Sequence, residues 1–170
     1  MAVGQHGLIG KQSLYDHSIR VPLIITGPNI KKRSIYNQDV YLQDVVPTTL
    51  DLAKIEIPSH IDFKSFYNLL SNIDNNDTND AIYGTFGCCP GNYFDFQRMI
   101  RKDNYKLMLF PKNQRIELYD LKNDPFEINN IVDQSNYKSL KKDLYEHLKL
   151  LQKEMGDTLN LDNYFKDKFE

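Results

Sequence analysis

Gly4-Gln5-His6-Gly7-Leu8-Ile9-Gly10-Lys11-Gln12-Ser13-Leu14-Tyr15 puts three glycines, a histidine and a lysine into one short run ahead of a helical-looking segment. Glycine lets the backbone bend sharply or approach a ligand closely. A lysine held beside it is a compact point charge for an anion. Nothing downstream joins small residues to reactive ones so densely. By itself such a run also fits an ordinary glycine-rich turn with a solvated lysine. The residues that follow separate the two readings.

Directly downstream, Ile19-Arg20-Val21-Pro22 leads into Leu23-Ile24-Ile25-Thr26, closed by Gly27-Pro28-Asn29. A continuous apolar run of this length suits a central strand of a parallel sheet with helices on both faces. Such a strand needs neighbours to pair its backbone groups and cover its side chains. From Tyr41 to Lys54, Leu42, Val45, Val46, Leu50 and Leu52 fall on one helical face, with Asp44 as the expected N-cap and Pro47 in the first turn. Phe63 to Leu70 reads as a second short helix. Ser71 to Asp80 is almost wholly Asn, Asp and Thr, the composition of an exposed linker.

Beyond that linker the pattern changes. Ala81–Phe86, Arg98–Arg101, Tyr105–Phe110 and Ile116–Leu121 are strand-like, and short turns at 102–104 and 111–114 join the last three. Short connections imply an antiparallel meander. Ser139 to Met155 is an amphipathic helix with an apolar stripe of Leu140, Leu144, Leu148, Leu151 and Met155. The expected organisation is α/β for residues 1–70, a polar linker at 71–80, and an α+β subdomain of antiparallel sheet plus helix for 81–170.

Composition narrows the function classes. A net charge of −2 gives no electrostatic case for nucleic acid. No apolar run reaches the roughly 20 residues of a membrane span, and no basic segment with an apolar core is visible at the N-terminus. The adjacent cysteines, Cys88 and Cys89, give no disulfide framework. His17 and His60 read as structural, and His147 as the edge of the long helix stripe.

Read together, GQHGLIGKQSLYDHSIRVPLIITGP at 4–28, VYLQDVVPTTLDLAKIEIP at 40–58, QRMIRKDNYKLMLF at 97–110, ELYDLKNDPFEINNI at 117–131 and the terminal helix with Gly156-Asp157 resemble the C-terminal part of the type I sulfatases of the alkaline phosphatase superfamily. The resemblance implies the end of an alkaline-phosphatase-like sandwich, a parallel strand plus helices, followed by the small α+β subdomain. It implies a hydrolase of sulfate esters that uses a formylglycine nucleophile and a divalent cation, usually calcium, on hard oxygen ligands. Lys11 matches the family lysine that contacts the sulfate and offsets its charge. His6 matches a histidine near the same pocket, for substrate contact or proton handling. Arg20 matches an arginine with a structural role.

The family's formylglycine motif, C/S-x-P-x-R, has no counterpart in this sequence. Cys88-Cys89-Pro90-Gly91-Asn92 imitates it, but Asn92 stands where the arginine belongs and the run falls in the wrong half of the fold. The metal-binding acids of the family are likewise expected outside this chain, upstream of Met1, so that an N-terminal catalytic portion is the implied partner and the chain alone is expected to be inactive. A related phosphoester or phosphonate hydrolase and a non-catalytic remnant or partner-binding module are the alternatives. Intact relatives are often periplasmic, secreted or lysosomal; the sequence itself does not address location.

Overall fold

A computed structural model describes residues 1–28, 30–71, 79–87 and 96–169. They fall into two compact units, Met1–Val21 with Tyr83–Glu170, and Pro22–Ile82. The first unit is thus discontinuous in sequence: the N-terminal run joins the C-terminal sheet rather than the residues that follow it.

The sheet of the first unit has four strands in the order β3 (Ile82–Phe86), β4 (Gln97–Lys102), β5 (Tyr105–Phe110) and β6 (Arg115–Asp120). β4 and β5 pair antiparallel with Met99 opposite Met108, and β5 and β6 with Leu107 opposite Leu118. This is the meander read from the sequence. Successive strand side chains point to opposite faces, yet Leu107, Met108 and Leu109 are all fully buried. Both faces of the central strands are therefore covered. On the face that carries Lys106, residues 13–16 lie across the sheet, where Leu14 N–H donates to Gln97 Oε1 at 3.1 Å and Lys106 Nζ donates to Leu14 O at 3.1 Å.

The long helix, here α4 (Lys138–Glu154), packs on β4 and β5. It buries Leu144, Tyr145, Leu148 and Gln152, the four-residue spacing of a single helix face. Its end is set by Gly156 at φ 69: Gly156 N–H reaches Lys153 O at 3.1 Å and Asp157 N–H reaches Gln152 O at 3.0 Å. This paired closure satisfies carbonyls that a helix end leaves open, and the left-handed turn suits glycine. A further helix, α5 (Asp162–Phe169), was not legible in the sequence. It is fixed to α4 by Tyr145, whose hydroxyl donates to Asp162 Oδ1 at 2.7 Å and whose ring stacks on Phe169 at 3.9 Å.

Asp157, just past the glycine, closes a buried polar contact. Arg98 from β4 and the Tyr83 hydroxyl from β3 both donate to its Oδ2, and Leu159 N–H to its Oδ1 at 3.0 Å. Burial alone would raise this carboxyl. The hydrogen bonds from Arg98, Tyr83 and the Leu159 backbone outweigh it and hold the group below the usual carboxylate value.

The second unit holds α2 (Val45–Leu52) and α3 (Tyr67–Leu70). Asp44 precedes α2 but does not cap it. Its carboxylate instead accepts Tyr41 N–H at 2.8 Å, Lys64 N–H at 3.2 Å and Asn79 Nδ2 at 3.0 Å, tying three loops to the start of the helix. The expected helix over 63–70 is confined to its last turn. Leu23–Thr26, expected as a strand, is not one here, and Ile24 is 88% exposed. The reason is pairing: a strand exists through its neighbours' backbone groups, and among the described residues this unit has no strand before Ile82.

Two outcomes follow from these contacts. Leu148→Ala removes a fully buried side chain and lowers stability by about 2–5 kcal/mol; Leu150→Ala, at a position 62% exposed, changes it by less than about 0.5 kcal/mol. Urea unfolding of both variants at one pH separates them. Asp157→Asn costs about 3 kcal/mol at neutral pH by removing the carboxylate partner of the buried Arg98, which keeps its bond to Gln97 O. Because the folded carboxyl sits below its unfolded value, its contribution is complete above the unfolded pKa and is lost as pH falls through the folded one. The gap between wild type and variant should therefore close in acid, and an acid-independent gap would contradict this origin.

Candidate functional site

The glycine-rich run folds as a small hairpin. β1 (Ala2–Val3) pairs antiparallel with β2 (Ile9–Gly10), and the residues between them form a tight loop. Gly4 N–H donates to Leu8 O at 2.9 Å and Leu8 N–H to Gln5 O at 2.9 Å. Gly4, Gly7 and Gly10 have φ of 105°, 70° and 99°, and a Cβ at any of them would meet nothing within 4 Å. The glycines are thus required by backbone conformation, not by crowding. His6, at φ 54, adopts the left-handed region without that freedom.

The histidine is held from two sides. Its ring stacks on Tyr15 at 3.9 Å and 8°, and the His17 ring lies beside both, 5.5 Å from His6 and 5.7 Å from Tyr15. Its Nε2 lies 3.2 Å from the carbonyl oxygen of Phe126. Lys11 follows β2 directly and is exposed. Among the described residues its ammonium has no hydrogen bond or ion pair. The structure thus places His6 and Lys11 on one hairpin, His6 in its loop and Lys11 just past its second strand. His17, read from sequence as an isolated structural residue, instead belongs to the ring stack. Its Nε2 is 3.4 Å from Ser13 Oγ, and burial, then the neighbouring His6, hold its pKa below the usual histidine value.

Beneath the hairpin lies a polar cluster that sequence reasoning missed. Lys106 is fully buried and donates to Asp16 Oδ1 and Glu127 Oε1, both at 2.5 Å. The other Glu127 oxygen accepts Asp16 N–H at 2.7 Å, and Arg101 reaches Asp16 Oδ2 at 3.3 Å. Burial pushes the Glu127 carboxyl above its usual value, and the Lys106 ammonium pulls it back only in part. Beside it, the Tyr15 hydroxyl donates to Glu117 Oε2 at 2.7 Å and Tyr119 to the same oxygen at 3.1 Å, while Arg115 binds Oε1. Burial, then the Glu117 hydrogen bond, raise Tyr15 to about 12, so it stays a neutral donor. Arg20 is 4.0 Å from Asp16 and largely in solvent, a peripheral member.

The model of the N-sulphoglucosamine sulphohydrolase C-terminal family matches residues 4–154. The chain belongs to that family. It is similar to an ulvan-active sulfatase of Formosa agariphila, 31% identical over 91% of this chain and 37% of the relative. It is 32% identical to an N-acetylglucosamine-6-O-sulfatase of Bacteroides thetaiotaomicron, over 91% of this chain and 29% of the relative. A structure solved in complex with its substrate D-glucosamine-2-N,6-O-disulfate superposes with a TM-score of 0.75 at 31% identity, covering 91% of this chain and 32% of that one. A phosphonate monoester hydrolase from Silicibacter pomeroyi, at TM-score 0.68 and 21% identity, shares the fold. The chain therefore corresponds to the C-terminal portion of sulfatases of the alkaline-phosphatase-like superfamily, and it spans about a third of the length of these relatives.

The family implies calcium. A calcium site gathers several oxygen ligands around an open hole. Among the described residues no three His, Cys, Asp or Glu are grouped to hold a metal ion, and Asp16 and Glu127 converge on an ammonium. The described residues do not fit a resident cation. Cys88 to Asn92 and the acidic residues 74–78 lie outside the described residues. No described helix is long and apolar enough to cross a membrane.

Lys106→Met, similar in length but uncharged, leaves Glu127 buried without its cation, and Asp16 with Arg101 and the peripheral Arg20. We expect it to lower stability by about 3–5 kcal/mol near neutral pH. Without the Lys106 cation the buried Glu127 carboxyl, already raised by burial, binds a proton at a pH where the unfolded chain does not. The deficit should therefore shrink as pH falls from about 7 to about 5, measured by urea unfolding at each pH; a deficit that grows or stays constant over that range contradicts the assignment.

Proposed function

We propose that the chain is the C-terminal part of an enzyme that hydrolyses sulfate esters, and that Lys11 is its sulfate ligand. Lys11 carries this reading. It is a lysine at the family's sulfate-contact position, exposed at the end of a glycine hairpin, with its charge uncommitted among the described residues. A cation placed beside the transferring sulfuryl group offsets charge as the ester bond breaks. His6, in the same hairpin, contacts the substrate or handles a proton. Sulfated glucosamine is the first substrate to test, because it is the substrate in the solved complex of a relative and the N-acetylglucosamine-6-O-sulfatase acts on a related sugar. The formylglycine nucleophile and the calcium ligands belong to the part of the enzyme beyond the third that this chain represents.

The purified 170-residue chain should not turn over 4-nitrophenyl sulfate or glucosamine-6-sulfate. When it replaces the corresponding third of the Bacteroides thetaiotaomicron sulfatase, the chimera should hydrolyse the sugar sulfate. Lys11→Ala should then lower kcat/KM at least about tenfold, the scale of one charged hydrogen bond. Turnover by the chain alone, or a chimera indifferent to Lys11→Ala, overturns the reading.

A further inference from the structure

We propose that Lys106, Asp16 and Glu127 are positioning residues for the hairpin, and that through the turn at Phe126 they fix His6 as the tautomer protonated on Nε2. The positioning role rests on the sulfatase reading of His6 and Lys11; the tautomer does not.

Each group that touches His6 is a chain neighbour of a residue bonded to Lys106. Tyr15, which supplies the ring face, lies between Leu14 and Asp16, and Lys106 binds the carbonyl of the first and the carboxylate of the second. Phe126, which supplies the carbonyl at 3.2 Å, precedes Glu127, whose carboxylate Lys106 also binds. Asp16 N–H on Glu127 Oε2 joins the two arms directly. An ammonium has three protons, and these three acceptors use them all.

The turn must be held because its conformation is not a relaxed one. Glu127 lies at φ 58, in the left-handed region where a non-glycine residue is strained. Its N–H bonds Asp124 O at 3.1 Å, and Asp124 Oδ2 accepts Asn129 N–H at 2.7 Å. The ion pair with Lys106 supplies the force that keeps Glu127 there. Released, the residue would relax and carry the Phe126 carbonyl with it.

That carbonyl has a chemical consequence. A peptide oxygen only accepts, so the ring nitrogen facing it must carry the proton. Neutral His6 is then Nε2–H, and its free lone pair is on Nδ1. If His6 handles a proton in the reaction, Nδ1 is the nitrogen that takes it. The buried cluster thus sets the reactive atom of a residue it never touches.

The test uses the labelled 170-residue chain and contains no substrate. Long-range proton–nitrogen correlations of the histidine rings distinguish the two tautomers at a pH where His6 is neutral. Wild type should show His6 as Nε2–H alone. Glu127→Gln keeps an acceptor for Asp16 N–H but turns an amide toward Lys106. It should give a mixed His6 tautomer and raise hydrogen exchange of the Gly4, Gly7 and Leu8 amides about tenfold relative to those of β5. Asp157→Asn, which weakens the fold away from the hairpin, should change neither. If the glutamine variant does not fold, Glu127→Asp, which keeps the charge and withdraws it by one methylene, takes its place with the same expected results. An Nδ1–H His6 in wild type overturns the proposal, as do a Glu127 variant with wild-type tautomer and exchange, or an Asp157→Asn chain that reproduces the Glu127 effect. Loss of turnover in the chimera experiment would instead strike the reading of Lys11 and leave these results standing.

Discussion

A lysine ammonium can stay in a protein core only when each of its protons meets an oxygen, because an unpaired buried charge costs several kcal/mol. Lys106 meets that condition with Leu14 O, Asp16 and Glu127. A leucine or methionine would fill the same space without the cost of stripping water from three charged groups. What it could not do is grip two remote pieces of chain at once. Leu14 and Asp16 are 92 and 90 residues from Lys106, and Glu127 is 21 residues from it.

This grip explains the division of the molecule. The N-terminal run would be expected to stay with the residues that follow it in sequence. Instead it crosses the sheet, because Leu14, Tyr15 and Asp16 find their polar partners on β4, β5, β6 and the turn after β6. The chain leaves the unit after Val21 and returns at Tyr83. The same contacts give the turn at 124–127 a purpose that its sequence does not announce. Its Asp-Pro reads as a chain reversal, yet the glutamate two residues later is a buried ligand for an ammonium.

How much of this could be read beforehand depended on the kind of interaction. The meander and α4 were legible because their signals are local: short turns between strands, and an apolar stripe at helical spacing. α5 was missed because Phe165 and Phe169, its buried residues, stand in a short run of charges with no stripe long enough to read. Lys106, Asp16 and Glu127 were quoted in the motifs but given no role, since a charged residue is ordinarily solvated and nothing local marks one as buried. His17 reads as isolated in the sequence for the same reason: its partners His6 and Tyr15 become neighbours only when the hairpin closes. Leu23–Thr26 was the opposite case. Its strand signal is local, but a strand is completed by partners, and those are not among the described residues.

The two lysines, Lys106 and Lys11, stand in opposite surroundings, one fully buried and one exposed. Lys106, Arg101, Asp16 and Glu127 sum to zero charge, so the buried cluster sends little field toward the hairpin above it. The hairpin itself, from Gly4 to Lys11, has no acidic residue. Lys11 is therefore left as an unshielded cation on a backbone whose shape is set from below. Lys106 commits its charge to two carboxylates; Lys11, exposed, has its own to offer an anion, and on the proposed reading that anion is the sulfate.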